Sequence, residues 1–295
     1  MKTSFSHGRR LPAHLAAALA TAACGLTVGG SAAHAAPAAG TGPQTLTVAM
    51  HYVVPPFVPG SKVRTAEAPD TDLAEALAGK VGASLHAIPD NALIPVFGTA
   101  ASSTANAADG QSDAPAPKAD ALLRSLPYGA ATPASTQAIP TGYASRPMAI
   151  MRSDTDIKSW DQLKGRTVCL SEGGLYTGLI AARYGAIEKV FRAPADSLLT
   201  LRTGGCDAAV LDEFMLDELL ELPEWKKFSA RLAPPQKSGA ALNLIVPEGN
   251  PDLLAAARKL AGEWRSSHYL AALNKKRVRD IAFEVYLDQT VPDCH

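Results

Sequence analysis

The chain has 295 residues, of which 47% are hydrophobic and 19% are charged, with 28 basic and 28 acidic side chains. This length allows a buried core in one or two domains. The even balance of charge lacks the basic excess that binding to a phosphate backbone requires, and the densest basic run, at residues 275–279, is typical of a solvated helix end. These features argue against a nucleic-acid partner.

The N-terminus has the features of a secretory signal peptide. Three basic residues precede an apolar, alanine-rich segment, and a small-x-small cleavage motif, AHA, occupies residues 33–35. We predict that residues 1–35 are removed and that the remaining chain lies in the periplasm. A membrane anchor and a lipid anchor on Cys24 are the alternatives. Removal would leave 25 basic residues against 28 acidic ones, because three basic residues and no acidic residue lie in this segment.

Strands and helices alternate from residue 45 onwards. "TLTVAM" (45–50) and "SLHAIP" (84–89) are typical of strands, and "DTDLAEALAGKVG" (70–82) predicts an amphipathic helix between them. Residues 99–118 contain no Val, Ile, Leu, Met or aromatic side chain. Such a stretch cannot bury a core face, so we predict a loop or a low-complexity insertion there.

The alternation resumes after this insertion. "ADALLRSL" (119–126) predicts a strand, and a second alternating set extends over residues 147–222. "AALNLIV" (240–246) predicts a further strand, and Asn250 is typical of the N-cap of a long helix. Residues 281–295 fit no element. The pattern therefore predicts an α/β protein with two lobes.

Five segments carry a resemblance to a known family. They are "LTVAMHYVVPPFV", "DTDLAEALAGKVGASLHAIP", "DIKSWDQLKGRTVCLSEGG", "LLTLRTGGCDAAVLDE" and "GNPDLLAAARKLAGEW". Their order and spacing resemble the bacterial extracellular solute-binding proteins of the amino-acid-binding type, which have the type II periplasmic binding protein fold. The resemblance implies two lobes joined by two crossover hinge strands, with lobe 1 formed by residues 44–143 and 240–295 and lobe 2 by residues 144–239. It also implies that a solute binds between the lobes.

The glycine turn after the strand "TVCL" is one site that the resemblance implies. In the family, backbone N–H groups of this turn bind the carboxylate of the ligand, and here the corresponding residues are Glu172, Gly173 and Gly174, with Thr177 one turn further on. The usual hydroxyl side chains are missing. Glu172 would repel an anion unless it points away from the site.

The charged positions of the implied site differ from the family pattern. The family's arginine in the first-lobe connector is replaced here by Ser135, so Arg124, next to Ser125, is a candidate to bind an anionic group in its place. Arg124 as a solvated residue at a strand end is the alternative. Asp212 matches the carboxylate that pairs with the amino group of a ligand, or it caps the helix that begins at Glu213.

The first lobe supplies three further candidates. His51, Tyr52 and Phe57 occupy positions where the family places polar and aromatic groups that face the ligand. Phe57 as a core residue and His51 as a structural histidine are the alternatives.

Three cysteines remain after removal of residues 1–35. The resemblance implies that Cys169 and Cys206 lie on neighbouring strands of the second lobe, where a disulfide fits and an exported protein favours oxidation. If this disulfide forms, Cys294 is the one unpaired thiol. The alternative is that Cys169 and Cys206 are two buried free thiols.

Together these features and the resemblance predict a monomeric periplasmic solute-binding protein that captures a small polar solute, amino-acid-like or other, between its two lobes for a membrane transporter permease. We expect no cofactor, and no Cys/His spacing is typical of a metal site. One alternative is a binding-protein-like partner or sensor component without a transport role. Another is an enzyme similar to the cyclohexadienyl dehydratases, for which Glu172 would be the acid.

Overall fold

The computed structural model describes residues 44–56, 58–90 and 118–290. The predicted signal peptide, Cys24, Phe57, nearly all of the predicted insertion and Cys294 lie outside the described residues. Among the helices that are described, none combines the length and the apolar character needed to cross a membrane.

In the described part of the chain, ten strands form two five-stranded sheets. The first sheet has the order β2-β1-β3-β10-β4, and the second has the order β7-β6-β8-β5-β9. The strands of the first sheet are β1 (Thr45–Met50), β2 (Ser84–Pro89), β3 (Ala121–Pro127), β4 (Thr136–Ser145) and β10 (Ala240–Pro247). The strands of the second sheet are β5 (Pro147–Met151), β6 (Thr167–Ser171), β7 (Ile187–Phe191), β8 (Ala208–Asp212) and β9 (Ala230–Leu232).

The chain passes between the two sheets twice. Arg146 alone separates β4 from β5, and residues 233–239 connect β9 to β10. β4 and β10 pair in antiparallel fashion, so both connections leave the first sheet from adjacent strands. A two-lobed α/β architecture with two crossings is therefore confirmed. The predicted lobe boundaries, at 143/144 and 239/240, fall close to these two connections.

Among the described residues, six α-helices cover the sheets. They are α1 (Asp70–Lys80), α2 (Leu179–Tyr184), α3 (Pro194–Arg202), α4 (Glu213–Leu220), α5 (Pro251–Ser266) and α6 (Tyr269–Asp288). α5 begins as its sequence predicts, because the Asn250 side chain accepts a hydrogen bond of 3.1 Å from the Leu253 N–H and proline occupies the first helical position.

Each lobe has its own apolar core. In the first lobe, β1, β3 and β10 contribute alternate residues that pack against α1 and α5, whose buried side chains recur at helical spacing. In the second lobe, β5 and β8 are buried along their whole length, because helices and loops cover both faces of this sheet.

α6 differs from its sequence-based placement in two ways. The sequence indicates no element for residues 281–288, yet they are helical. The sequence also places the whole of residues 240–295 in lobe 1, which is wrong for this helix. Val278, Ile281 and Val285 instead pack into the core of the second lobe. Their spacing of three and four residues places them on one face of the helix. The C-terminal helix therefore spans from the first lobe to the second.

A disulfide joins Cys169 of β6 to Cys206, which lies just before β8, with a Cα–Cα distance of 5.9 Å. β6 and β8 are parallel neighbours in the second sheet. The predicted cysteine pairing is confirmed, and the alternative of two free thiols is wrong.

Candidate functional site

The loops that follow β1 and β6 bring the two lobes into contact. His51 Nε2 lies 3.3 Å from the carbonyl oxygen of Gly174, and the Tyr52 hydroxyl donates a hydrogen bond of 3.4 Å to the carbonyl oxygen of Arg192. The Tyr52 ring packs on Gly173, where an added Cβ would lie 3.2 Å from Tyr52 Cδ1. Four of the predicted site residues are thus brought together between the lobes.

A buried carboxyl group of the first lobe lies in this contact. Glu67 Oε1 accepts a hydrogen bond of 3.0 Å from the backbone N–H of Asp212, 145 residues further along the chain. A Cβ on Gly174 would lie only 2.5 Å from Glu67 Oε2, so the absence of a side chain at this position makes room for the carboxyl group. Only 3% of Glu67 is exposed.

Asp212 is buried beside Glu67 and is bound by two phenols. The Tyr143 hydroxyl, from β4, donates to Asp212 Oδ2, and the Tyr176 hydroxyl, from the loop after β6, donates to Asp212 Oδ1. The carboxylate makes no hydrogen bond to the start of α4. Asp212 therefore links the two lobes rather than capping the helix that follows it.

Burial keeps protons on this cluster. Burial and the charge of Asp212 raise the pKa of Glu67 well above its usual range. Burial raises the pKa of Asp212 to about 6, although hydrogen bonds from the two phenols lower it. Asp70, at the start of α1, has its pKa raised to about 7 by burial, while Arg277 lowers it. These acids share one region with few compensating charges, which favours their neutral forms.

Arg277 of α6 fixes the segment that carries Glu67. Its guanidinium donates to the carbonyl oxygens of Ala66 and Ala68 and to Asp72 Oδ2, the last two at 2.7 and 2.6 Å. Glu67, Asp70 and Arg277 are not among the predicted site residues. The concentration of three acids within "EAPDTD" (67–72), directly before a helix, is the sequence signal that points to the first two.

Arg124 is paired within its own lobe. Its Nε and one terminal nitrogen donate to the two carboxylate oxygens of Asp90, at 2.5 and 2.8 Å. The predicted ligand-binding charge is therefore already neutralised by a bidentate partner. Ser125, the next residue of β3, is buried within the sheet opposite Leu242.

The remaining predicted residues of the glycine turn point outward. Glu172 is exposed, and its negative charge helps to raise the pKa of the Tyr52 hydroxyl, for which burial is the larger cause. The Thr177 hydroxyl donates a long hydrogen bond of 3.3 Å to the carbonyl oxygen of Ser171. Neither side chain joins the buried cluster.

A cavity of about 510 Å³ opens beside this contact, with walls from both lobes. The first lobe contributes Tyr52, Val54, Pro55, Pro56 and residues 61–66, and the second contributes Arg192, Ala193 and Asp196.

The charges around the cavity are unevenly paired. Arg64 binds Asp196, at 2.6 Å, and Asp288, while Lys62 binds Asp288 at 2.6 Å. Arg192 is exposed, and its guanidinium has no carboxylate partner among residues 44–56, 58–90 and 118–290. A cation thus remains available at the cavity.

The described part of the chain contains no group of three or more His, Cys, Asp or Glu side chains arranged to hold a metal ion.

No protein-family model matches the sequence, and no curated protein matches it. In structure, the chain is similar to the substrate-binding protein of an amino acid ABC transporter, with 21% identity and a TM-score of 0.48 over 80% of this chain and 99% of the other. It is also similar to the substrate-binding protein AbpA of Streptococcus pneumoniae bound to L-arginine, with 17% identity and a TM-score of 0.49 over 80% and 95% of the two chains. A third similar structure is a mutant of ArgBP from T. maritima, with 20% identity and a TM-score of 0.47 over 80% and 95%.

Proposed function

We propose that the chain is an exported solute-binding protein that captures a small solute between its two lobes and delivers it to a membrane transporter. The observation that carries this proposal is the cavity beside Tyr52, whose walls come from both lobes. Its volume of about 510 Å³ is in the range of small-molecule sites. A solute that contacts both walls binds more tightly when the two lobes are close together than when they are apart. Binding therefore shifts the protein towards the closed arrangement of the lobes. The predicted signal peptide supports a role outside the cytoplasm.

The lining of the cavity supports a solute with an acidic group and an apolar part. Val54, Pro55 and Pro56 offer an apolar wall, and the free guanidinium of Arg192 is suited to a carboxylate. Asp212 and Arg124, which the sequence analysis favoured for recognition, already have partners within the protein. The solute is therefore bound by residues that line the cavity, such as Arg192, and not by Asp212 or Arg124.

A thermal-shift screen of the purified protein against amino acids, other small carboxylates and amines tests the proposal. A solute at 100 times its Kd adds about 2.7 kcal/mol to the free energy of unfolding. Calorimetry on the best solute should then show at least a tenfold loss of affinity in Arg192→Ala, because a charged hydrogen-bond partner is removed. Arg279→Ala, which removes an exposed arginine of α6 outside the cavity, is the matched control and should bind as the parent does.

Three results would contradict the proposal. They are the absence of stabilisation by every solute, equal binding by Arg192→Ala and the parent, and conversion of the solute into a product. Recovery of the unchanged solute after incubation, measured by chromatography, separates binding from the dehydratase-like alternative. Stabilisation only by a protein partner would favour the sensor alternative.

A further inference from the structure

The second lobe presents three features to the Glu67 carboxyl group. The Asp212 N–H donates to Oε1 at 3.0 Å, the buried Ser171 hydroxyl lies beside the carboxyl group, and Gly174 leaves the space that the carboxyl group fills. We call Ser171, Gly174 and the Asp212 N–H the carboxyl receptor. The receptor belongs entirely to the second lobe, while the group inside it comes from the first.

Two buried polar atoms at the receptor lack a hydrogen-bond partner of normal geometry within the described ranges. They are Glu67 Oε2 and Ser171 Oγ. A buried polar atom without a partner loses its hydrogen bonds to water and gains none in return, so two such atoms side by side are rarely left unmatched. A proton on Oε2 turns that oxygen into a donor and makes the serine hydroxyl a fitting acceptor. The receptor is therefore complementary to a protonated carboxyl group.

The surroundings of the receptor also favour the neutral acid. The titratable or charged side chains around it come from both lobes and from α6, and they are His51, Asp70, Tyr143, Tyr176, Asp212 and Arg277. Asp212 disfavours a second negative charge, and Arg277 offsets this only in part because it also binds Asp72. Burial and the charge of Asp212 keep the two phenols protonated, so both remain donors.

We propose that the second lobe contains a receptor for a protonated carboxyl group and that Glu67 is its built-in ligand, which holds the two lobes together without any solute. A small carboxylic acid should occupy the same receptor when the Glu67 side chain is removed. The solute cavity is separate, because Glu67 does not line it. Loss of the receptor and loss of solute binding are therefore distinguishable.

The test compares Glu67→Ala, Glu67→Gln and the parent chain, with Glu75→Ala as the matched control. Glu75 lies exposed on α1, close in sequence but away from the receptor. The thermal midpoint and the small-angle scattering radius of gyration are measured at pH 5 and pH 8, with and without sodium acetate or formate and with sodium chloride at equal ionic strength.

Glu67→Ala should lower the midpoint by at least about 4 °C and increase the radius of gyration. Acetate or formate should reverse at least half of both changes, and should do so more effectively at pH 5, where more of the neutral acid is present. Glu67→Gln should remain compact at both pH values, because its carboxamide supplies the same acceptor and a permanent donor. Glu75→Ala should behave as the parent.

Two outcomes would overturn the proposal. One is a Glu67→Ala protein as stable and compact as the parent. The other is an equal decrease of the thermal midpoint in Glu67→Ala and Glu67→Gln that neither acetate nor formate reverses. That result would mean that the Glu67 side chain contributes only packing. If Glu67→Ala fails to fold, the glutamine variant decides. At pH 5 Glu67→Gln should match the thermal midpoint and the radius of gyration of the parent, because its carboxamide offers the same acceptor and donor as the protonated acid. A Glu67→Gln protein that is expanded or destabilised at pH 5 refutes the receptor.

Discussion

The Arg277 guanidinium donates a hydrogen bond of 2.7 Å to the carbonyl oxygen of Ala68. Arg277 belongs to the C-terminal helix, whose apolar face packs on the second lobe, while Ala68 follows Glu67 in the first lobe. The last helix of the chain therefore fixes the segment that places Glu67 between the lobes.

Arg277→Met should lower the free energy of unfolding by about 2–3 kcal/mol, because two backbone carbonyl groups lose their donor while the aliphatic part of the side chain is kept. Urea unfolding measures the change. Arg279→Met, at an exposed position of the same helix, should stay within about 0.5 kcal/mol of the parent. If the two substitutions change the free energy of unfolding equally, the hydrogen bonds of Arg277 do not stabilise the fold.

The stability of the protein should fall as the pH rises from about 4 to about 7. Asp212 and Asp70 have pKa values of about 6 and about 7 in the folded protein, so the folded state keeps protons that the unfolded chain has already released. Ionic contacts with Lys62 and Arg64 lower the pKa of Asp288, which acts in the opposite direction but below this window.

Asp70→Asn should remove part of this pH dependence, because the amide cannot ionise. Urea unfolding at pH 4.5, 5.5, 6.5 and 7.5 should give a smaller decrease in stability for Asp70→Asn than for the parent. The same decrease in both proteins would mean that Asp70 does not bind the extra proton.

Gly174→Ala should displace the Glu67 carboxyl group. The new Cβ would lie 2.5 Å from Oε2 and 2.9 Å from Cδ, distances that the two groups cannot keep. We expect destabilisation of about 1–3 kcal/mol, which is typical of overpacking. Gly79→Ala, where an added Cβ meets nothing within 4 Å, is the control and should be neutral or slightly stabilising. The double variant Gly174→Ala/Glu67→Ala should be less destabilised than the sum of its parts, since the two residues are in contact.

Removal of the disulfide should cost about 3–4 kcal/mol, because Cys169 and Cys206 are separated by 37 residues and their bond restricts the unfolded chain. The double substitution Cys169→Ala/Cys206→Ala avoids leaving a lone buried thiol. Urea unfolding without reductant should show the loss, and reductant should weaken the parent but not the double variant. Unchanged stability of the double variant would contradict the prediction.

The elements that the sequence predicts well are those with local signals. Asp212 and the glycines at 173 and 174 follow predicted strands directly, so their location at the edge of a sheet depends only on nearby residues. Glu67 lies in a Pro- and Ala-rich loop, where an acid is normally solvated. Its burial results from the approach of a lobe that begins about eighty residues later, which no local pattern shows.

The C-terminal helix is a different case, because its signal is present but weak. Val278, Ile281 and Val285 have helical spacing, yet charged residues surround them and Phe283 and Tyr286 are exposed. The basic run at 275–279 was interpreted as solvated throughout, whereas Arg277 is buried. Its acceptors lie about two hundred positions earlier in the chain, so only the tertiary structure reveals them.

The position of β10 in the first sheet sets an order of events during synthesis. β10 lies between β3 and β4, and the whole second lobe precedes it in the sequence. As the chain emerges from its N-terminus, all five strands of the second sheet, within residues 147–232, can pair while β4 still has no neighbour in its own sheet. Until residue 247 has emerged, β3 has one unpaired edge and β4 has two. Unpaired strand edges are the surfaces most prone to incorrect pairing. The sheet that begins first is therefore the sheet that is completed last, and the interval before β10 arrives is the period in which the new chain most needs protection from aggregation.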